Sequence, residues 1–134
     1  MFEMIVLDTH IWYWWINEEY SRFPNSWLAQ IENADKIVVS PVSCFEIALA
    51  NQRGRLELPC DVNAWLEQAL EPSGVELLPM TAAISARAVY LSPIHKDPFD
   101  RIIIASALEY HAQLASIDDN FPKYPELQLL LMQS

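Results

Sequence analysis

The stretch Met4–Glu19, MIVLDTHIWYWWINEE, decides the fold. Met4–Leu7 is a short apolar run that stops at Asp8, and Trp12, Trp14 and Trp15 follow at once. The β-branched and apolar run predicts a strand, and Thr9–Ile16 predicts a helix. A strand that is apolar at every position suits a parallel sheet, which is covered on both faces. In such sheets, ligand sites form beyond the carboxyl ends of the strands, which is where Asp8 falls.

The same succession recurs along the chain. KIVVS (Lys36–Ser40), VELLPM (Val75–Met80) and QLASI (Gln113–Ile117) read as further strands, and Leu127–Leu131 as a fifth. Helices are expected from Pro24, over SCFEIALANQRG with Gly54 as stop, over Asp61–Leu70 opened by Asp61, and over TAAISARAVYL. DPFDRIIIASALEYH is expected to be the longest, with Asp97 as cap and Pro98 at its first position. The fold class is therefore α/β: one domain over residues 1–134, with a central, mainly parallel sheet of about five strands flanked by helices.

Composition narrows the function. A chain of 134 residues that is 52% apolar buries roughly two thirds of its unfolded surface without staples. Its apolar runs are too short to span a bilayer, and Met1-Phe2-Glu3 lacks the basic start of a secretory leader. Cys44 and Cys60 are too few for a disulfide framework and read as intracellular thiols, so a cytoplasmic protein without membrane association is expected. The net charge of -10 argues against holding polyanions on a general basic surface, unless metal ions offset it locally, and also suits a basic partner. Two glycines, Gly54 and Gly74, cannot make a Gly-rich phosphate loop.

The acids carry the chemistry. Asp8 follows the first strand, Glu46 sits early in the helix after the second, Asp97 and Asp100 open the long helix, and Asp118 and Asp119 follow the fourth strand. Each can be read singly as a helix cap: Ser43-Cys44-Phe45-Glu46 fits a capping box, and Asp97-Pro98-Phe99-Asp100 is a helix start in its own right. Jointly, they supply carboxylates from separate segments to one predicted edge, with no equal set of lysines or arginines. Such a cluster repels itself, and a hard divalent cation such as Mg²⁺ relieves the repulsion. Metal-assisted phosphodiester hydrolysis is a chemistry this spacing suits.

Four segments in order, LDTH (Leu7–His10), VSCFEIA (Val42–Ala48), HKDPFDRIIIASA (His95–Ala107) and ASIDDNF (Ala115–Phe121), resemble the PIN-domain nucleases, and among them the VapC-type toxins of prokaryotic toxin–antitoxin pairs. The resemblance implies an endoribonuclease dependent on Mg²⁺ or Mn²⁺. Asp8, Glu46, Asp100 and Asp118 match the family's four acids and are implied to be the catalytic, metal-holding set. Asp97 recurs in the DPFD branch as a cap or outer acid, and Asp119 is the reserve beside Asp118. Thr9 and Ser116 could orient carboxylates by hydrogen bonds. Glu46 and Asp118 are both candidates to accept the proton of the attacking water. The resemblance further implies an RNA substrate, a cognate antitoxin that inhibits the enzyme, and a homodimer. Where family members often carry a lysine after the Glu-Ile-Ala segment, this chain has Ala50 and Asn51, with Arg53 and Arg55 the nearest cations.

His10 is expected to pack or hydrogen-bond rather than ligate. His95, Lys96 and Arg101 are candidates for phosphate contact, against the simpler role of solvated charges or ion pairs. Trp12, Tyr13, Trp14 and Trp15 cannot all face inward, since successive helical residues turn by about 100°; core packing accounts for about half of them and a partner surface for the rest, with base stacking a third reading, and the helix, with Trp27, is assigned to antitoxin or dimer contact. Two other functions compete: a PIN-like binding module without catalysis, and a receiver-like signalling domain. The latter requires paired acids after the first strand and an Asp after the third, and VELLPMT has none.

Overall fold

The computed structural model describes residues 4–134; Met1-Phe2-Glu3, read above for the absence of a basic leader, lie outside the described residues. β1 (Met4–Leu7), β2 (Lys36–Val39), β3 (Val75–Leu77) and β4 (Gln113–Ala115) form one sheet in the order β3-β2-β1-β4. All three pairings are parallel, with Ile5 opposite Ile37 and Gln113, and Ile37 opposite Val75. The intervening helices are α1 (Thr9–Ile16), α2 (Asn25–Glu32), α3 (Pro41–Gln52), α4 (Val62–Gln68), α5 (Ala82–Tyr90) and α6 (Pro98–Glu109). Parallel neighbours cannot be joined by tight turns, and the crossovers carry these helices.

Alternate strand residues divide between two cores, as the two-residue period of a strand requires. Ile5, Leu7, Ile37 and Val39 pack with Ile11, Trp12, Trp27, Ile47 and Trp65. Val6, Val38 and Leu114 pack with Ile103, Ile104, Ala107, Phe121 and Tyr124 on the other side. β1 and β2 are thus enclosed on both faces beyond their first residues, as expected, whereas on the edge strand β3 Glu76 and Leu77 are exposed.

The expected fifth strand is not one. Pro125–Leu127 takes a 3₁₀ turn, and Leu131 makes a single parallel bridge to Leu114. Pro125 has no N–H to give a ladder and holds a turn-compatible φ. Leu127 and Leu130 are buried in the same core cluster as Leu114, and the bonds Leu114 N to Leu130 O and Met132 N to Leu114 O tie the segment to β4 without extending a ladder.

Helix starts follow the capping chemistry, with one shift. Asp61 accepts from Ala64 N, and Asp97 accepts from Phe99 N with Pro98 next to it. α3 begins two residues earlier than expected: Ser40 caps it by accepting from Val42 N, and Pro41 holds its first position. The Ser43–Glu46 capping box therefore does not form, and both side chains are left for other partners. Gly54, at φ +71°, ends the α3 region in a conformation that glycine adopts without strain.

The aromatic segment also differs from expectation. Trp12 and Trp27 are fully buried core residues, not surface ones. Trp12 Nε1 donates to Ala69 O at 3.0 Å, and its ring meets Trp65 edge-on at 5.2 Å. Trp27 Nε1 donates to Gln133 O at 2.9 Å. Each indole thus has a carbonyl for its one polar atom, which permits full burial. Tyr13, Trp14 and Trp15 are half-buried around that core.

Candidate active site

The strand order reverses between β1 and β4, and an open parallel sheet parts its crossovers at such a point. Asp8 directly follows β1 there, and Asp118 lies three residues beyond β4. α3 brings Glu46 and the start of α6 brings Asp97 and Asp100. These five acids line one pocket of about 340 Å³, together with Thr9, His10 and Trp14. The four expected acids are therefore brought together, and Asp97 joins them. Asp119 does not line this pocket; it borders a neighbouring one with Pro24 and Trp27.

A chain of hydroxyls fixes the carboxylates. Asp8 Oδ1 accepts from Thr9 N at 2.8 Å, and Asp8 Oδ2 accepts from Ser116 Oγ at 2.7 Å. Ser116 Oγ in turn accepts from Asp118 N at 3.1 Å. Thr9 Oγ1 donates to Glu46 Oε1 at 2.6 Å and lies 2.8 Å from Ser43 Oγ. A hydroxyl has one proton, so with the Thr9 proton on Glu46, Ser43 is the donor to Thr9. Ser43 is fully buried and its role was not legible in the sequence, because it depends on α1 and α3 meeting across 34 residues.

The electrostatics are those of uncompensated acids. Burial raises the Asp8 carboxyl above its ordinary value against the lowering effect of its Ser116 and Thr9 hydrogen bonds. Burial pushes Glu46 up to about 7; the Thr9 bond opposes this and the Asp8 and Asp97 carboxylates add to it. Asp100 is likewise pushed up to about 7 by burial, then by Asp8 and Asp97, while His95 pulls it down. Among the described residues, no lysine or arginine lines the pocket.

Among the described residues, two groups have ligand atoms mutually within 4.8 Å: Glu46, Asp97 and Asp100; and His95, Asp100 and Asp118. Asp100 is common to both. An oxygen-rich, acidic set of this kind fits a hard divalent cation, which relieves the repulsion that raises Glu46 and Asp100.

The remaining candidates separate. His95 is not free for phosphate: its Nε2 lies 3.0 Å from Asp100 Oδ2 and 3.2 Å from Asp118 Oδ2. Arg101 is not free either. Its five N–H groups go to five backbone carbonyls, of Ala88, Val89, Leu91, Ser92 and His95. It clamps the α5–α6 connection, and so places His95. Lys96 is exposed. His10 lines the pocket with its ring 5.5 Å from that of Trp14.

Comparison with known proteins agrees with this geometry. The PIN domain family model matches residues 5–127. Ribonuclease VapC22 of Mycobacterium tuberculosis (strain ATCC 25618 / H37Rv) is 36% identical over 115 residues, covering 85% of this chain and 86% of the relative. Among solved structures, VapBC2 from Rickettsia felis bound to a promoter DNA fragment aligns with a TM-score of 0.68 at 18% identity, covering 96% of this chain and 97% of that one. A toxin–antitoxin complex from Klebsiella pneumoniae aligns at 0.62 and 17%, covering 96% of both chains. At that identity the two structures are likenesses of fold. The acidic pocket at the switch point, the parallel sheet and a family match over nearly the full length lead to one conclusion: the chain belongs to the PIN domain family.

Proposed function

We propose that residues 1–134 form a single nuclease domain, a metal-dependent endoribonuclease toxin of the VapC type acting in the cytoplasm. The observation that carries this is the meeting of Asp8, Glu46, Asp100 and Asp118, from four separate segments, in one pocket that no lysine or arginine lines among the described residues. The 36% identity to a protein named as a ribonuclease supports RNA as the substrate. The toxin–antitoxin names of the structural neighbours support a cognate antitoxin as partner, and the homodimer belongs to the same reading.

Asp8, Glu46, Asp100 and Asp118 are the residues to hold Mg²⁺ or Mn²⁺, with Asp97 beside them. When bound, such an ion stabilises charge on phosphoryl oxygens and makes water easier to deprotonate. The chain's own residues do the rest. Thr9 and Ser43 hold Glu46, and Ser116 holds Asp8, so that neither carboxylate has to be ordered when substrate arrives. Glu46 and Asp118 are the two carboxylates of the pocket that serve as candidate acceptors for the proton of the attacking water. Trp14, Ile117 and Ile11 give the pocket an apolar wall that limits water and strengthens the field of the acids.

The test is cleavage of total RNA by purified protein with Mg²⁺ or Mn²⁺, with chelator, and by Asp8→Asn. Cleavage that needs the ion and is lost in Asp8→Asn supports the proposal. An inert wild type with every ion leaves a PIN-like binding module, and full activity in Asp8→Asn rejects the site.

A further inference from the structure

A second cavity, of about 300 Å³, adjoins the acidic pocket and shares Glu46 and Asp97 with it. Its far side is cationic, with Arg53 and Arg55 in the lining, and Phe99 completes the wall. Both arginines are exposed and have no side-chain partner among the described residues, in a chain of net charge -10. By contrast, Arg22 and Arg87 are paired to Glu19 and Glu109, and Arg101 is saturated by carbonyls. The left-handed turn at Gly54 separates the two and lets both reach one cavity.

An aromatic platform lies beside these cations. Phe45 is 56% exposed, although it is a large apolar side chain, and its ring lies 5.2 Å from that of Phe99 at 43°. Phe45 and Leu49 on α3 and Arg53 at its C-cap follow at intervals of four, so one face of the helix runs from the platform to the first arginine. Phe45 also precedes Glu46, which ties the platform to the acids.

We propose that this cavity seats the single-stranded RNA segment flanking the cleaved bond, with Arg53 and Arg55 on its phosphates and the Phe45–Phe99 pair stacking an unpaired base. Guanidinium groups beside an exposed aromatic face are the combination that binds single strands: the cations follow the backbone, and the ring takes any base whose π-face is free. An acidic peptide uses the arginines but gains little from the rings, and a duplex keeps its bases stacked internally. The cavity also answers how a strongly acidic protein holds a polyanion, by local cations at the entrance and not by its overall charge.

The inference rests on the ribonuclease reading, and binding without cleavage keeps the two apart. The probe is a fluorescein-labelled single-stranded 12-nucleotide RNA of mixed sequence, followed by anisotropy in chelator, with a 12-base-pair duplex and a poly-glutamate peptide as further probes. Expected results are binding of the single strand weakened tenfold or more in Arg53→Ala/Arg55→Ala, a log K against log salt slope shallower by about 1.4 for two lost phosphate contacts, and binding weakened about fivefold or more in Phe45→Ala. Arg53→Lys/Arg55→Lys is expected to restore the slope, and Phe45→Tyr the affinity, with unchanged thermal melts throughout. Wild-type affinity and slope in the double alanine variant overturn the inference. So does duplex bound as tightly as single strand, or a loss confined to poly-glutamate. Arginine-dependent binding in a protein that cleaves nothing overturns the ribonuclease reading alone; cleavage with arginine-independent binding overturns this inference alone.

Discussion

Ser116 Oγ donates to Asp8 Oδ2 at 2.7 Å, joining the ends of β4 and β1 across 108 residues. The bond lies at the reversal of the strand order, and it holds in place a carboxylate that burial otherwise drives toward its neutral form. Ser116→Ala is expected to push the Asp8 carboxyl further up and to weaken divalent-ion binding about 10- to 100-fold, as loss of an outer hydrogen-bond partner does. Titration calorimetry with Mn²⁺ on both proteins checks this, and equal affinities would count against a positioning role for Ser116.

Asp8→Asn separates stability from function. The buried carboxylate is destabilised in the ion-free fold, so its removal is expected to leave the apo melting temperature unchanged or slightly higher. Divalent ions are expected to raise the wild-type melting temperature, by about 2.7 kcal/mol of stability at a hundredfold excess over Kd, and to leave Asp8→Asn where it was. Differential scanning calorimetry with and without Mg²⁺ reads both.

The pH dependence has a definite sign. Glu46 and Asp100 titrate near 7 in the fold, above their ordinary values of 4.5 and 3.8. The fold therefore binds more protons than the unfolded chain between those limits, and their contribution to apo stability, full below the ordinary values, is lost as pH rises through about 7. Glu46→Gln is expected to flatten the fall in wild-type apo stability between pH 5 and 8 in urea titrations. Ion affinity runs the other way and is expected to rise with pH across the same window, because ligands must be deprotonated. An unchanged stability profile in Glu46→Gln would show that its carboxyl is not shifted.

Arg101 tests the clamp. With all five donors on backbone carbonyls, Arg101→Ala is expected to cost about 2 kcal/mol or more in urea unfolding, since bonds to charged groups each carry about 1.5–3 kcal/mol and overlap in effect. Arg101→Lys is expected to recover little, because an ammonium has three donors and no fork. RNA affinity per folded molecule is expected to hold in Arg101→Lys, since the side chain is turned to the backbone; a specific loss of binding would return it to the phosphate-contacting group.

Trp12→Ala is expected to cost about 3–5 kcal/mol of stability, as for a large aromatic removed from a filled core. Measured against it, Trp14→Ala, at the half-buried pocket rim, is expected to cost much less. A smaller loss for Trp12 than for Trp14 in chemical denaturation would place Trp12 at the surface after all.

Much of this could be read before any coordinates. Apolar runs ending at Asp8, Ser40 and Ile117, with helices between, required a parallel sheet with an acidic edge, and PIN-type spacing marked Asp8, Glu46, Asp100 and Asp118. Local chemistry was legible where it is short-range: Asp97 with Pro98 starts α6, and Asp61 starts α4. It misled where two short-range solutions compete. Ser40 with Pro41 prevailed over Ser43 with Glu46 for the start of α3, and the run Leu127–Leu131 leaves the 3₁₀ turn Pro125–Leu127 as a further turn that reaches β4 by one bridge.

By itself, the sequence determined the periodicity of the apolar residues, four strands with helices between them, and which acids lie at the strand ends and helix starts. The tertiary structure alone decided which indoles were enclosed, that Ser43 supports Thr9, that His95 lies between Asp100 and Asp118, that Arg101 is spent on carbonyls, and that Asp97 belongs to the pocket while Asp119 does not. The physical reason is range. Periodicity and capping act over a few residues and are written in neighbouring side chains. A buried carboxylate's partners, and the energy that sets its protonation, are chosen by segments that meet after the chain has closed on itself.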